Sequence, residues 1–180
     1  MSGSPIKTFS SSKYLNPNHN LLREISLFTF IIITTSIFVQ SIHMMEHISQ
    51  TIQKFVLNYQ VAQGIIGSKV DLEPIHFVFN LTYLVLIILT LIYLKPSLKT
   101  KDLIFILLIT VLILQTWHFI EHSVKLYQHL TINCKSCPGI LGNDYNLILL
   151  HLFYNSIVFI PLVLVYLIII RHYHKMIKYS

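Results

Sequence analysis

The sequence predicts an all-α integral membrane protein whose four transmembrane helices form two tandem helical hairpins. Three observations predict it. Charged side chains make up 11% of the 180 residues and hydrophobic ones 54%, whereas a soluble domain carries roughly 25% charged residues. Four windows meet the length of about 20 apolar residues that a bilayer-crossing helix needs. The few polar residues inside those windows recur at one fixed offset.

The first window runs from Ile25 through Ile42 and continues into a histidine motif. A polar stretch precedes it and it lacks a small-residue cleavage site, so it does not read as a removed signal peptide. The second spans Ile75–Leu94. Pro74 stands in its first turn, where the missing N–H costs nothing, and Pro96 stops it. The third window is Leu103–His122 and the fourth Leu147–Ile170, with Pro161 inside. That proline is expected to kink the helix as a packing feature. Residues 1–24, rich in Ser, Asn and Pro, read as a mobile N-terminal segment. Residues 25–95 form the first hairpin, 96–170 the second, and 171–180 a basic tail.

Orientation follows from the basic residues. Lys7, Lys13 and Arg23 precede the first window, Lys95, Lys99 and Lys101 link the second and third, and Arg171, Lys175 and Lys178 follow the fourth. The other two loops, 48–74 and 123–146, hold Lys54, Lys69, Lys125 and Lys135. Nine against four places both termini in the cytoplasm and those loops on the outer side. The net charge of +6 belongs to these flanks and suits anionic lipid. The bilayer is the expected partner, and nothing in the sequence points to nucleic acid.

The segment QSIHMMEH at Gln40–His47 returns as QTWHFIEH at Gln115–His122, 75 residues later. The same spacing pairs His76 with His151, Asn80 with Asn155, Gln53 with Gln128, Asn58 with Asn133, Gly64 with Gly139 and Gly67 with Gly142. Apolar residues match only in character, so polar identity is what the two copies share. Each copy has two spans, so both enter the membrane in the same direction, related by a pseudo-two-fold axis along the membrane normal. His43, Glu46 and His47 share one helical face, as do His118, Glu121 and His122, while His76/Asn80 and His151/Asn155 are pairs four apart. Ionisable groups facing lipid are costly, so all these faces are expected to turn inward at one depth.

Three readings of that cluster compete. In the first, His43, Glu46, His47, His76, His118, Glu121, His122 and His151 hold one or two transition-metal ions, with the glutamates bridging metals or relaying protons. A four-helix bundle with inward Glu and His is an established frame for such centres, and nitrogen-rich donors suit Cu, Fe or Zn. Gln40, Asn80, Gln115 and Asn155 are then expected to fix the imidazole tautomers. The second reading is a b-type haem electron carrier. The third is a structural His/Glu network or proton relay joining the helices. The spans contain no Gly or Ala that would make a slot for a macrocycle, which favours bare metal.

Cys134 and Cys137 are absent from the other copy, where Tyr59 and Ala62 stand. On an outer loop they favour a disulfide, with a thiol or metal role as the alternative. The paired glycines are expected to turn the loops over the site as a lid. His19, His129, His172 and His174 lie outside the repeat, and Trp117 reads as an anchoring or packing aromatic. The function expected is a membrane metalloprotein, an oxidoreductase acting on a small or lipophilic substrate such as a quinol-like molecule, a lipid or dioxygen. A hydrolytic zinc site is compatible with the same ligands. The alternatives are the haem carrier and a subunit of a larger membrane complex or a metal transporter.

Overall fold

The computed structural model describes residues 27–94, 103–134, 137–142 and 146–179. The N-terminal segment with His19, the link 95–102, and the side chains of His172 and His174 lie outside the described residues. The described chain forms four helices: α1 (Leu27–Phe55), α2 (Leu72–Leu94), α3 (Leu103–Ile132) and α4 (Leu147–Tyr179). Each contains a stretch long and apolar enough to cross a membrane. Helix α4 runs through Pro161 without a break.

The distribution of side chains is the reverse of a soluble bundle. Along α1 the buried residues include Ser36, Gln40, His43, Glu46, His47 and Gln50, while Phe38, Met45, Ile48 and Ile52 are exposed. Helices α2, α3 and α4 likewise expose Val85, Ile92, Ile113, Ile120, Phe153 and Leu164. An apolar surface of this extent around buried His, Glu, Gln and Asn side chains requires a hydrocarbon surrounding. The protein is an integral membrane protein.

The helices pack as a ring, α1 against α2, α2 against α3, α3 against α4 and α4 back against α1. At the end of the bundle holding the start of α1 and the end of α2, the interior is an apolar plug built on Ile33, Tyr83, Ile87, Leu108, Val158 and Leu162. Above it lies a belt of amides. Gln40 Nε2 donates to Asn155 Oδ1 (2.8 Å), tying α1 to α4, and Gln115 Nε2 donates to Asn80 Oδ1 (2.9 Å), tying α3 to α2. Above the belt come the histidines.

Two boundaries differ from those expected. Helices α1 and α3 run to Phe55 and Ile132, so the loops that follow them begin well after residues 48 and 123. The helical period continues beyond the histidine motif: Ile48, Ile52 and Phe55 stay outside while Gln50 is buried and Lys125 sits inside α3. At about 1.5 Å per residue, α1 continues roughly 18 Å beyond His43. Positive φ ends both extensions, at Asn58 (55°) and Asn133 (55°), the left-handed conformation that asparagine tolerates after a helix. The α1 and α3 histidines therefore lie well short of their helix ends, while His76 and His151 stand near the starts of α2 and α4.

Candidate metal centre

Six imidazoles from all four helices meet in one place. His43 and His47 have ring centroids 4.7 Å apart, as do His118 and His122. His76 lies 4.8 Å from His47, and His151 4.9 Å from His122. The halves interlock, with His47 5.5 Å from His151 and His76 5.4 Å from His122. The widest of these contacts, His43 to His118, is 6.4 Å. No imidazole is more than 4% exposed. Phe79 stacks on His43 at 5.3 Å and Tyr154 packs on His118 at 5.1 Å, closing the cage below. The Tyr154 hydroxyl accepts a hydrogen bond from Trp117 Nε1 at 2.8 Å, so Trp117 supports this floor.

The nitrogen atoms reveal what the cage lacks in protein partners. His43 Nδ1, His76 Nε2, His118 Nδ1, both nitrogens of His122 and His151 Nε2 are buried without a hydrogen-bond partner among the described residues. A buried polar atom left unpaired costs about 1–3 kcal/mol. His43, His47 and His76 bring one nitrogen each within 4.8 Å of one another, so these three could hold a metal ion. His43 Nε2 and His47 Nε2 are 3.0 Å apart, close to the spacing of two nitrogens that share an ion at bonds of about 2.0–2.1 Å.

No family model, curated protein or solved structure matches this chain. The geometry therefore carries the functional argument alone.

Outer partners orient two of the rings. His47 Nδ1 lies 2.9 Å from Gln50 Oε1, an acceptor, so Nδ1 carries the hydrogen and Nε2 turns its lone pair into the cage. His151 Nδ1 likewise donates to the Leu147 carbonyl at 2.6 Å, leaving Nε2 bare. This is how metal-binding histidines are normally held. Of the four amides expected in that role, Asn155 alone touches an imidazole, its Nδ2 lying 3.3 Å from His118 Nε2. Instead, Gln40 donates to Asn155 and Gln115 to Asn80, each joining two helices, and Asn80 donates to the His76 carbonyl. Gln50 was not singled out from the sequence because the other copy has Lys125 at that position.

The two glutamates take a different place from the one expected. Glu46 Oε2 accepts from the amides of Ile65 (2.8 Å) and Ile66 (2.9 Å), and Oε1 from Gly67 (3.0 Å). Glu121 accepts from Ile140 (3.0 Å) and Leu141 (3.4 Å). Successive amides around a carboxylate form an anion-binding nest. These carboxylates clamp the loops after α1 and α3 onto those helices, and their oxygens are spent on backbone rather than turned toward the imidazoles. Gln53 and Gln128 add matching clamps, each exchanging two hydrogen bonds with the backbone of Gly64 or Gly139.

Gly64 and Gly139 have φ of 76° and 71°, and a Cβ on either would run into the Glu46 or Glu121 carboxylate. Gly64→Ala is therefore expected to destabilise the protein by about 1–3 kcal/mol through backbone strain and a displaced carboxylate. Thermal unfolding and protease cleavage within 56–71 would check this; an unchanged melt would contradict it. The second loop is held further by a disulfide between Cys134 and Cys137. His129, outside the cage, bridges the two loops by bonding the Cys134 carbonyl and Asp71 Oδ2, each at 2.8 Å.

Sequence reading also missed a buried ion pair beside the cage. Lys125 Nζ lies 3.2 Å from Glu73 Oε1, with both side chains at least 94% buried. Neither residue has a like counterpart at the repeat spacing, so the spacing that pointed to the six cage histidines could not point to them.

Proposed function

We propose that the chain is a membrane metalloprotein whose six imidazoles hold one or two transition-metal ions beneath the outer loops. The observation that supports this is the cage itself: six imidazoles in mutual contact, carrying six unpartnered nitrogens away from water. A structural network would pair those nitrogens with one another or with the glutamates. Nitrogen donors suit Cu, Fe or Zn and disfavour Mg or Ca. His43, His47 and His76 form one half-site, and His118, His122 and His151 the other. An ion bound there would supply one-electron chemistry as Cu or Fe, or polarisation of a bound oxygen as Zn.

The chain's own residues do the rest. Gln50 and the Leu147 carbonyl set ring tautomers, the Gln/Asn belt fixes helix spacing, and Glu46 and Glu121 hold the loops closed over the cage. The matched contacts 75 residues apart support two copies of one hairpin about a pseudo-two-fold axis. The nine basic residues flanking the termini and the 95–101 link support an outward-facing cage with both termini cytoplasmic. The substrate in this reading is small or lipophilic, of the quinol-like kind. Rings in contact at 4.7–6.4 Å leave no slot for a macrocycle, which weighs against haem.

Elemental analysis of detergent-purified protein, with its optical spectrum, tests the proposal. Bound Cu, Fe or Zn and no Soret band are expected. Protein that retains no transition metal above trace after gentle purification, or a strong Soret band, would overturn it.

A further inference from the structure

Between the cage and the outer loops lies a cavity of about 450 Å³, roughly fifteen times the liquid volume of one water molecule. His47, His76 and His151 form its floor, and Glu73 and Lys125 stand in its wall. Its upper wall comes from the first loop and the start of α4, including Val61, Ala62, Leu147 and Ile148. The cavity is thus bounded by the imidazole cage on one side and by loop residues on the other, so a ligand would enter from the loop side.

Its polar wall is incomplete in a specific way. Lys125 Nζ makes one ion pair, to Glu73 Oε1, and no other hydrogen bond among the described residues. Glu73 Oε2 is buried with no partner. The wall therefore offers spare ammonium donors beside one unused carboxylate acceptor. An anionic ligand would meet the charge of Glu73, and a cationic one that of Lys125. A neutral hydroxyl both donates and accepts, so it fits between them without adding charge.

The pair is not a requirement of the hairpin. At the repeat spacing Lys125 corresponds to Gln50 and Glu73 to Ile148, so the corresponding positions on α1 and α4 carry neither charge. Buried ion pairs seldom add net stability over apolar residues of similar size. We propose that this cavity binds a water-borne molecule carrying a neutral hydroxyl on a compact apolar body, a phenol or similar alcohol. Its O–H donates to Glu73 Oε2, its oxygen accepts from Lys125 Nζ, and Val61, Ala62, Leu147 and Ile148 cover the body. This deepens the metal-centre reading by naming the ligand class above the imidazoles, but the binding itself needs no ion.

The test uses phenol, and anisole, which lacks the donor, on the full-length protein in detergent, with binding followed by ligand-observed NMR. Glu73→Ile/Lys125→Gln installs at each position the residue found 75 positions away, Ile148 and Gln50, and leaves no buried charge unpaired. Native protein is expected to bind phenol saturably and at least about tenfold more tightly than anisole, because a site with a buried polar group rejects the analogue that cannot pair it. The double variant, in the same micelle, is expected to lose that preference while keeping its metal content. Glu73→Leu/Lys125→Met, which removes acceptor and donor together, gives the same comparison where that double variant does not accumulate. Equal phenol binding by native and variant protein, or no saturable binding, would overturn the proposal. Metal content measured on the same samples separates the two readings: phenol selectivity without metal sinks the metal centre alone, and metal without phenol selectivity sinks this site alone.

Discussion

His47→Ala is expected to weaken metal binding by at least about 100-fold, and His122→Ala to do the same. Losing a partner that merely orients a ligand typically costs 10–100-fold, and these two rings are ligands in the proposed centre. Each also touches three other imidazoles at close range. His47 lies within 5.5 Å of His43, His76 and His151, and His122 within 5.4 Å of His76, His118 and His151. His129→Ala is the control, because His129 bonds Cys134 and Asp71 outside the cage. Competition with a chromophoric chelator measures all three. Similar affinities across the set would contradict the assignment of the site.

Glu46→Ala should show the opposite pattern. Three backbone amides lose their acceptor. Hydrogen bonds to a charged group contribute about 1.5–3 kcal/mol each, and losing several together is less than additive. A loss of roughly 3 kcal/mol is expected, with a melting temperature about 6–12 °C lower. The first loop should become open to proteases while metal stoichiometry stays close to native. A bridging carboxylate would behave otherwise: metal would fall with little change in loop protection. The two outcomes distinguish a clamp from a ligand.

The sequence made the helices and the cage legible for a physical reason. Polar residues in a lipid-facing helix are costly, so those present must be buried, and the 75-residue spacing marked which of them belong together. His76 and His151, on α2 and α4, could be assigned to the same depth as the α1 and α3 motifs before any contact was known. Register alone, however, does not say what a side chain touches. Glu46 shares a helical face with His43 and His47, yet its carboxylate is taken by amides 19 to 21 residues away. The partner was the Gly64–Gly67 turn, whose amides have no sequence signature. Helix ends were missed for a related reason, since Gln50, Gln53 and Lys125 look like loop residues until their burial and clamps are seen. The Lys125–Glu73 pair joins α3 to α2 and breaks the repeat, so it was legible neither by spacing nor by symmetry.

X-ray absorption spectroscopy on the metal-bearing protein tests the shared centre most directly. The account predicts a first shell of nitrogen at about 2.0–2.1 Å, if the ion is zinc, with the outer-shell scattering of at least three imidazole rings. A shell of oxygen or sulfur without imidazole scattering would contradict it.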